Sequence, residues 1–166
     1  LNLNEPNKLS NTDWIKPGKY IGLWWEMIGT NQSSWGSGAH HGAKTERVLE
    51  YIDFGSIYNF DGVLVEGWNM GWDENWCCSG EGENFGFYHP HPDFDNNKIA
   101  KYAQEKGIRI IGHHETGTQI ENYETQLDSA FAYCKRNGIR VVKTGYVNDG
   151  SRNIKRLGDD GKIYKE

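Results

Sequence analysis

The sequence has few features that would place the protein in a membrane or on nucleic acid. No segment approaches the roughly 18 consecutive apolar residues of a membrane span. The first residues, Leu1-Asn2-Leu3-Asn4, contain neither the basic region nor the apolar run of a signal peptide. Acidic residues outnumber basic ones by 23 to 18, and there is no long basic run. We therefore expect no membrane span and no nucleic-acid partner.

Cysteine is also scarce, with Cys77, Cys78 and Cys134 as the complete set. An odd count without metal-finger spacing excludes a disulfide framework or a zinc finger as the basis of the fold. Adjacent cysteines form a strained disulfide, and Cys134 lies on an apolar helical face. We therefore expect three free thiols.

Glycine and aromatic residues are abundant, with 21 Gly, seven Trp and nine Tyr in 166 residues. The length suits one domain, and the 36% of apolar residues can form a core. Many of the aromatic residues lie in loops and at strand ends, where they suit the faces of sugars as well as a core. Two long loops, 29–42 and 69–92, exceed the usual length of a connector and are expected to be functional.

The hydrophobic pattern predicts alternating strands and helices. β-Branched and aromatic runs predict strands at 19–27, 63–68, 108–115 and 139–146. Helical periodicity predicts helices at 45–59, with Thr45 as its cap, at 96–106, and between 118 and 137. Such alternation is typical of parallel βαβ units, and the fold class is therefore α/β with about four parallel strands and three intervening helices.

Polar residues follow each predicted strand in pairs spaced i, i+2, which share one face of a strand. The pairs are Trp24 with Glu26, Glu66 with Trp68, His113 with Glu115, and Lys143 with Gly145. A (β/α)8 barrel builds its active site from such strand ends. A dinucleotide-binding sheet would carry G-x-G-x-x-G after its first strand, and this loop has none. We therefore predict a partial TIM barrel, with His114 facing away from the site.

The residues at these strand ends suit glycoside hydrolysis. Glu66 and Glu115 provide two carboxyl groups, and hydrolysis of a glycosidic bond uses an acid together with a base or nucleophile. Lys143 has a second interpretation, as an ion-pair partner of one of these glutamates. For Trp25 and Trp68, the second interpretation is that they only pack against other side chains. A metal-dependent hydrolase using His113, Glu115 and His40 or His41 is a weaker alternative, because H-x-x-E-H spacing is absent. A carbohydrate-binding fragment without chemistry also remains open.

Several strings sharpen this choice: WIKPGKYIGLWWEM, SSWGSGAHHGAKTE, FDGVLVEGWN, DFD, RIIGHHET and VVKTGYV. In this order and spacing they resemble the catalytic barrel of glycoside hydrolase family 97, typified by a bacterial, periplasmic α-glucosidase of starch utilisation. The resemblance implies a calcium-dependent α-glycosidase with an N-terminal β-sandwich, a (β/α)8 barrel and a small C-terminal domain. On this basis residues 1–18 are a linker from the missing sandwich, 19–150 the first half of the barrel, and 151–166 a polar tail before the next helix.

The resemblance also implies roles for individual residues. Glu115 corresponds to a general base that activates water, and His113 to an imidazole that contacts substrate. Glu66 and Lys143 correspond to positions around the non-reducing sugar. Gly145 stands where retaining members have an aspartate nucleophile and inverting members have glycine. The resemblance thus implies an inverting α-glucosidase, with a retaining α-galactosidase-like member as the alternative.

Other parts of the family's machinery have no counterpart in this sequence. The general acid, a second base and the calcium-ligand glutamates belong to the second half of the barrel and to the N-terminal domain. We therefore expect no metal ligands in this chain, an oligosaccharide as the partner of the whole enzyme, and a periplasmic or secreted location. A half barrel has open strand edges, so we also expect the isolated chain to be inactive or to self-associate.

Overall fold

The computed structural model describes residues 6, 8–30, 32–73, 85–117 and 119–145. Four parallel strands form one sheet in the order β1-β2-β3-β4, and their bounds are Tyr20–Leu23, Gly62–Val65, Arg109–His114 and Val141–Thr144. The helices are α1 (Trp25–Gly29), α2 (Thr45–Ile57), α3 (Asn96–Lys106) and α4 (Ile120–Arg136). The predicted α/β fold with four parallel strands and three long intervening helices is confirmed.

The core lies between the sheet and the helices that follow each strand. All four residues of β2 are buried, as expected for an inner strand covered on both faces. From the helices, α2 contributes Val48 and Ile52, and α3 contributes Ile99 and Ala103. Burial of such side chains contributes roughly 1.5–3 kcal/mol each. This packing fixes the strands and therefore the direction in which their ends point.

The helix signals in the sequence have clear structural counterparts. Asp95 caps α3 by accepting a hydrogen bond from the Lys98 amide at 3.0 Å. Gly107 ends the same helix in the left-handed conformation, with φ of 69°, which costs glycine little. The predicted cap of α2 is wrong, because the N-cap is Lys44. The Thr45 hydroxyl instead donates to the Asp93 carbonyl at 2.6 Å.

The first strand is shorter than the sequence predicts. β1 ends at Leu23, and Trp25 begins the short helix α1. Tertiary contacts explain this change: the Glu26 carboxylate accepts hydrogen bonds from Ser33 at 2.9 Å and from Arg47 at 2.6 Å. Glu26 therefore points toward α2, and the prediction that it shares a strand face with Trp24 is wrong.

β1 and β4 form the two edges of the described sheet. β4 is largely exposed, with Val141 44% accessible, and Phe131 of the neighbouring α4 is 46% accessible. These surfaces are where further barrel strands would pack in a complete (β/α)8 barrel. Self-association through the same surfaces stays a prediction.

Three expectations concern the remaining parts of the chain. Cys134 is a buried free thiol, whereas Cys77 and Cys78 lie outside the described residues. The predicted polar tail, 151–166, and most of the first seven residues also lie outside them. No helix in the described ranges has the length and apolar character to cross a bilayer.

Candidate active site

The carboxyl ends of β2, β3 and β4 bring three polar side chains together. His113 and Lys143 are register partners in the parallel β3–β4 pair, so their side chains leave the same face of the sheet. Glu66 directly follows β2 and completes the group. Its Oε1 lies 3.2 Å from Lys143 Nζ and 3.4 Å from His113 Nε2. The ion pair that the sequence allowed for Lys143 is therefore formed with Glu66.

Burial decides the charges in this group. Burial raises the pKa of Glu66, and the Lys143 ammonium offsets part of that rise. Burial, followed by repulsion from Lys143, lowers the pKa of His113 to about 3. His113 is therefore a neutral imidazole at neutral pH, and its Nδ1 is buried without a hydrogen-bond partner among the described residues.

Glu115 and Gly145 directly follow β3 and β4, and they lie against each other. The Glu115 side chain is 3% exposed, and its Oε1 accepts a hydrogen bond from the Gly117 amide at 3.0 Å. A Cβ atom on residue 145 would lie 2.5 Å from Glu115 Cδ and 2.6 Å from Oε1. The place where a side chain would begin at position 145 is therefore filled by the Glu115 carboxyl group.

Two indoles, which the sequence did not single out as site residues, extend the site. Trp35 and Trp72 are stacked with ring centroids 6.1 Å apart, and Trp72 is stacked with His113 at 6.0 Å. The Trp35 indole also interacts with Glu66 and lowers its pKa. The signal available in the sequence was loop length, since both residues lie in the long loops predicted to be functional. Which tryptophan reaches the site depends on how those loops fold.

The predicted alternation along β3 is confirmed. His114 points to the opposite face from His113, where its Nδ1 lies 3.0 Å from the Tyr123 hydroxyl of α4. Its Nε2 lies 3.7 Å from the Cys134 Sγ. Burial lowers the pKa of His114 to about 4. His114 is therefore a neutral core residue that joins the sheet to α4.

The structure does not place the two predicted sugar-binding tryptophans beside Glu66. Trp68 is 5% exposed, stacks on Tyr133 and donates its indole N–H to the His113 carbonyl at 2.8 Å. The reason is Gly67, whose φ of +73° turns the chain so that Glu66 and Trp68 do not share a face. Packing thus accounts for the buried position of Trp68, and its predicted sugar contact stays a prediction. Trp25 lies on α1, 64% exposed, against Trp24, and its predicted sugar contact stays a prediction.

The metal-dependent alternative gains no support from this geometry. His41 is bound to Asp93 and to the Gly67 carbonyl, and His40 is exposed. Within the described ranges, no three His, Cys, Asp or Glu side chains converge as metal ligands would.

Comparison with known proteins identifies the family of the chain. A sequence model of the glycoside hydrolase 97 family matches residues 24–163. The chain belongs to glycoside hydrolase family 97. The four parallel strands are accordingly part of a TIM barrel.

Solved family 97 structures resemble the chain over its whole length. An enzyme from Pseudoalteromonas sp. strain K8, seen as a single-substitution variant and in complexes with acarbose and with panose, is 50% identical. These structures cover 100% of the chain and superpose with a TM-score of 0.86. A retaining α-galactosidase from Bacteroides thetaiotaomicron is 25% identical over 72% of the chain. The chain spans 24% of the Pseudoalteromonas protein and 16% of the galactosidase.

Proposed function

We propose that the chain forms the first half of the catalytic barrel of an inverting α-glucosidase, in which Glu115 activates the attacking water. Glu66, His113 and Lys143 bind the hydroxyl groups of the non-reducing sugar. The general acid comes from the part of the barrel outside this chain. We propose likewise that the whole enzyme uses calcium held by ligands outside this chain, and that it works in the periplasm or outside the cell.

The contact between Glu115 and Gly145 carries the proposal of inversion. A retaining enzyme needs a carboxylate nucleophile at the anomeric carbon, whereas an inverting enzyme needs room for a water molecule and a base. Position 145 has no side chain, and the Glu115 carboxylate lies against it. The carboxylate at this strand end therefore suits a base that takes a proton from water.

The similar proteins favour glucose over galactose as the sugar. The Pseudoalteromonas enzyme, structurally characterised with acarbose and with panose, is 50% identical. The retaining α-galactosidase is only 25% identical. Panose is built of α-linked glucose units, so its presence in the more similar protein supports an α-glucoside substrate.

The proposed chemistry follows from the charges. Glu115 accepts the proton of the attacking water while an acid on the other side of the sugar protonates the departing oxygen. The Lys143 ammonium and the buried Glu66 carboxylate offer donors and acceptors to sugar hydroxyls, and His113 adds a neutral ring nitrogen. These groups are held by strand ends, so they are ordered before substrate binds.

The stereochemistry of the first product tests the proposal. A chimera in which residues 20–145 replace the matching segment of the Pseudoalteromonas enzyme supplies the rest of the barrel. Proton NMR of the hydrolysis of an aryl α-glucoside should show β-glucose first, followed by mutarotation. Initial release of α-glucose would contradict inversion, and faster hydrolysis of the matching α-galactoside would contradict the sugar assignment. The unmodified Pseudoalteromonas enzyme is the control.

A further inference from the structure

The backbone carbonyl of Gly67, the residue after Glu66, is bound by a histidine that the proposed chemistry does not use. His41 is 1% exposed. Its Nδ1 lies 2.9 and 2.8 Å from the two carboxylate oxygens of Asp93. Its Nε2 lies 2.8 Å from the carbonyl oxygen of Gly67. Both ring nitrogens thus face oxygen atoms that can only accept hydrogen bonds.

This geometry determines the charge of His41. A carboxylate and a carbonyl are acceptors, so both ring nitrogens must donate, and only an imidazolium carries two N–H groups. The His91 ring lies 4.7 Å away, edge to face. Burial, with repulsion from His41, lowers the pKa of His91, while Asp73 and Asp93 act in the opposite direction. The two acceptor contacts of His41 thus call for both of its ring N–H groups, with the Asp93 carboxylate as the counter-charge.

Asp93 is itself fixed to two helices. Its backbone carbonyl accepts from the Thr45 amide at 2.9 Å and from the Thr45 hydroxyl at 2.6 Å, at the start of α2. The same hydroxyl accepts from the amide of Asp95, the N-cap of α3, at 2.7 Å. The imidazolium is therefore anchored to the helical layer, and charge-assisted hydrogen bonds of this kind are about twice as strong as neutral ones.

The other partner of His41 is the residue that follows Glu66. Gly67 has φ of +73°, and a Cβ there would lie 3.1 Å from Trp35 Cα. Glycine has unusual conformational freedom. Without the bond to its carbonyl oxygen, Gly67 could move, and Glu66 would move with it. The 3.2 Å contact between Glu66 and Lys143 is therefore made by the residue directly before the one that His41 binds.

We propose that His41 is a positioning residue, which as an imidazolium anchored by Asp93 holds Gly67 and thereby sets the place of the Glu66 carboxylate. The inference rests on the proposed function, because it takes Glu66 as a group that binds sugar. His41 itself touches neither the substrate nor the reacting atoms.

A kinetic double-mutant cycle tests this role in the chimera described above. His41→Gln leaves only one nitrogen to donate, and we expect it to raise KM about tenfold, or about 1.4 kcal/mol, with kcat within about threefold. Because His41 acts through Glu66, adding His41→Gln to Glu66→Gln should raise KM no further. His40→Gln, at the exposed neighbouring histidine, is the matched control and should leave both constants unchanged. A purely structural loss would lower the active fraction and leave KM unchanged.

Several results would overturn the inference. An unchanged KM in His41→Gln would do so, as would full additivity with Glu66→Gln. If His41→Gln does not fold, Asp93→Asn keeps the shape of the site and removes the balancing charge, and it should raise KM several-fold. If Glu66→Gln itself leaves KM unchanged, the proposed sugar contact of Glu66 fails. A crystal structure of the His41→Gln or Asp93→Asn chimera then decides the positioning role, because a Glu66–Lys143 contact still at 3.2 Å would refute it.

Discussion

The two histidines that end β3 have the same side chain and opposite surroundings. His113 lies on the inner face beside Glu66 and Lys143, whereas His114 lies on the covered face among Tyr123, Cys134 and aromatic rings. Burial keeps both neutral, but only His113 also has an ammonium group acting on it. One strand therefore carries a residue of the candidate site on one face and a core residue on the other. Changes on the inner face should alter catalysis, and changes on the covered face should alter stability.

The largest effect is expected on the covered face. Phe87 is fully buried and contacts the rings of Tyr123 and His114 at 4.7 and 5.6 Å. Phe87→Ala should reduce the free energy of unfolding of the chain by about 3–5 kcal/mol, because it leaves a cavity. Urea denaturation measures this. Phe131→Ala, at a half-exposed phenylalanine near the same histidine, is the control, and an equal loss in both variants would break the comparison.

On the inner face, Glu115→Gln should lower kcat of the chimera by about 100-fold or more, because an amide cannot take the proton from water. Its effect on stability should be small, since the amide keeps the shape of the carboxylate. Initial rates on an aryl α-glucoside measure the change. Glu124→Gln, at an exposed glutamate of α4, should leave kcat unchanged. Near-normal turnover in Glu115→Gln would remove this residue from the role of base.

Acidification should reduce the free energy of unfolding, because both His113 and His114 are neutral in the folded chain. Only the pKa of His113 should depend on Lys143. The folded pKa values of the two histidines, about 3 and about 4, lie below the ordinary value of 6.5. The unfolded chain therefore binds protons first, so stability is full above pH 6.5 and falls as the pH drops below it. Each histidine contributes up to about 1.4 kcal/mol per pH unit.

Removing the ammonium with Lys143→Met should raise the pKa of His113 and leave that of His114 in place. The loss of stability in acid should then be less steep than in the unsubstituted chain. Hydrogen–deuterium exchange at the histidine C2 position, followed by mass spectrometry across a pH series, measures the two pKa values separately. Equal shifts at both histidines would show that the two faces are not electrostatically distinct.

The smallest effect is expected from Tyr123→Phe, which removes the hydroxyl 3.0 Å from His114 Nδ1. Loss of this hydrogen bond in a largely buried place should cost about 1–2 kcal/mol of unfolding free energy and leave kcat unchanged. Tyr58→Phe, at a tyrosine that is 59% exposed, provides the comparison in urea denaturation. A lower kcat in Tyr123→Phe would show that the covered face reaches the chemistry.

Sequence patterns were sufficient where a local rule decides the outcome. The period of two along β3 placed His113 and His114 on opposite faces, and Gly107 marked the end of α3. Glu115 and Gly145 were both expected at the carboxyl ends of strands, because the alternation of strands and helices predicts parallel strands. These features depend on neighbours in the sequence and on the geometry of parallel strands.

The failures occur where a distant contact overrides the local pattern. The run from 19 to 27 has the composition of a strand, but Glu26 lies in a helix, where its carboxylate accepts a hydrogen bond from Arg47. Gly67 takes a left-handed conformation that reverses the direction expected for Trp68. The sequence of the loop that carries His41 does not indicate that this histidine is fixed. Its partner, Asp93, lies 52 residues further along the chain. Helix and strand propensities describe single residues and do not include contacts between residues that are far apart in the sequence.

The close contact between Gly145 and Glu115 has a consequence for the orientation of the proposed base. A carboxylate gained at position 145 would overlap the Glu115 carboxyl group where it now lies. Because this carboxyl group is the far end of a flexible side chain, a side chain at position 145 would be accommodated by a movement of Glu115. The present orientation of the proposed base therefore depends on residue 145 being glycine.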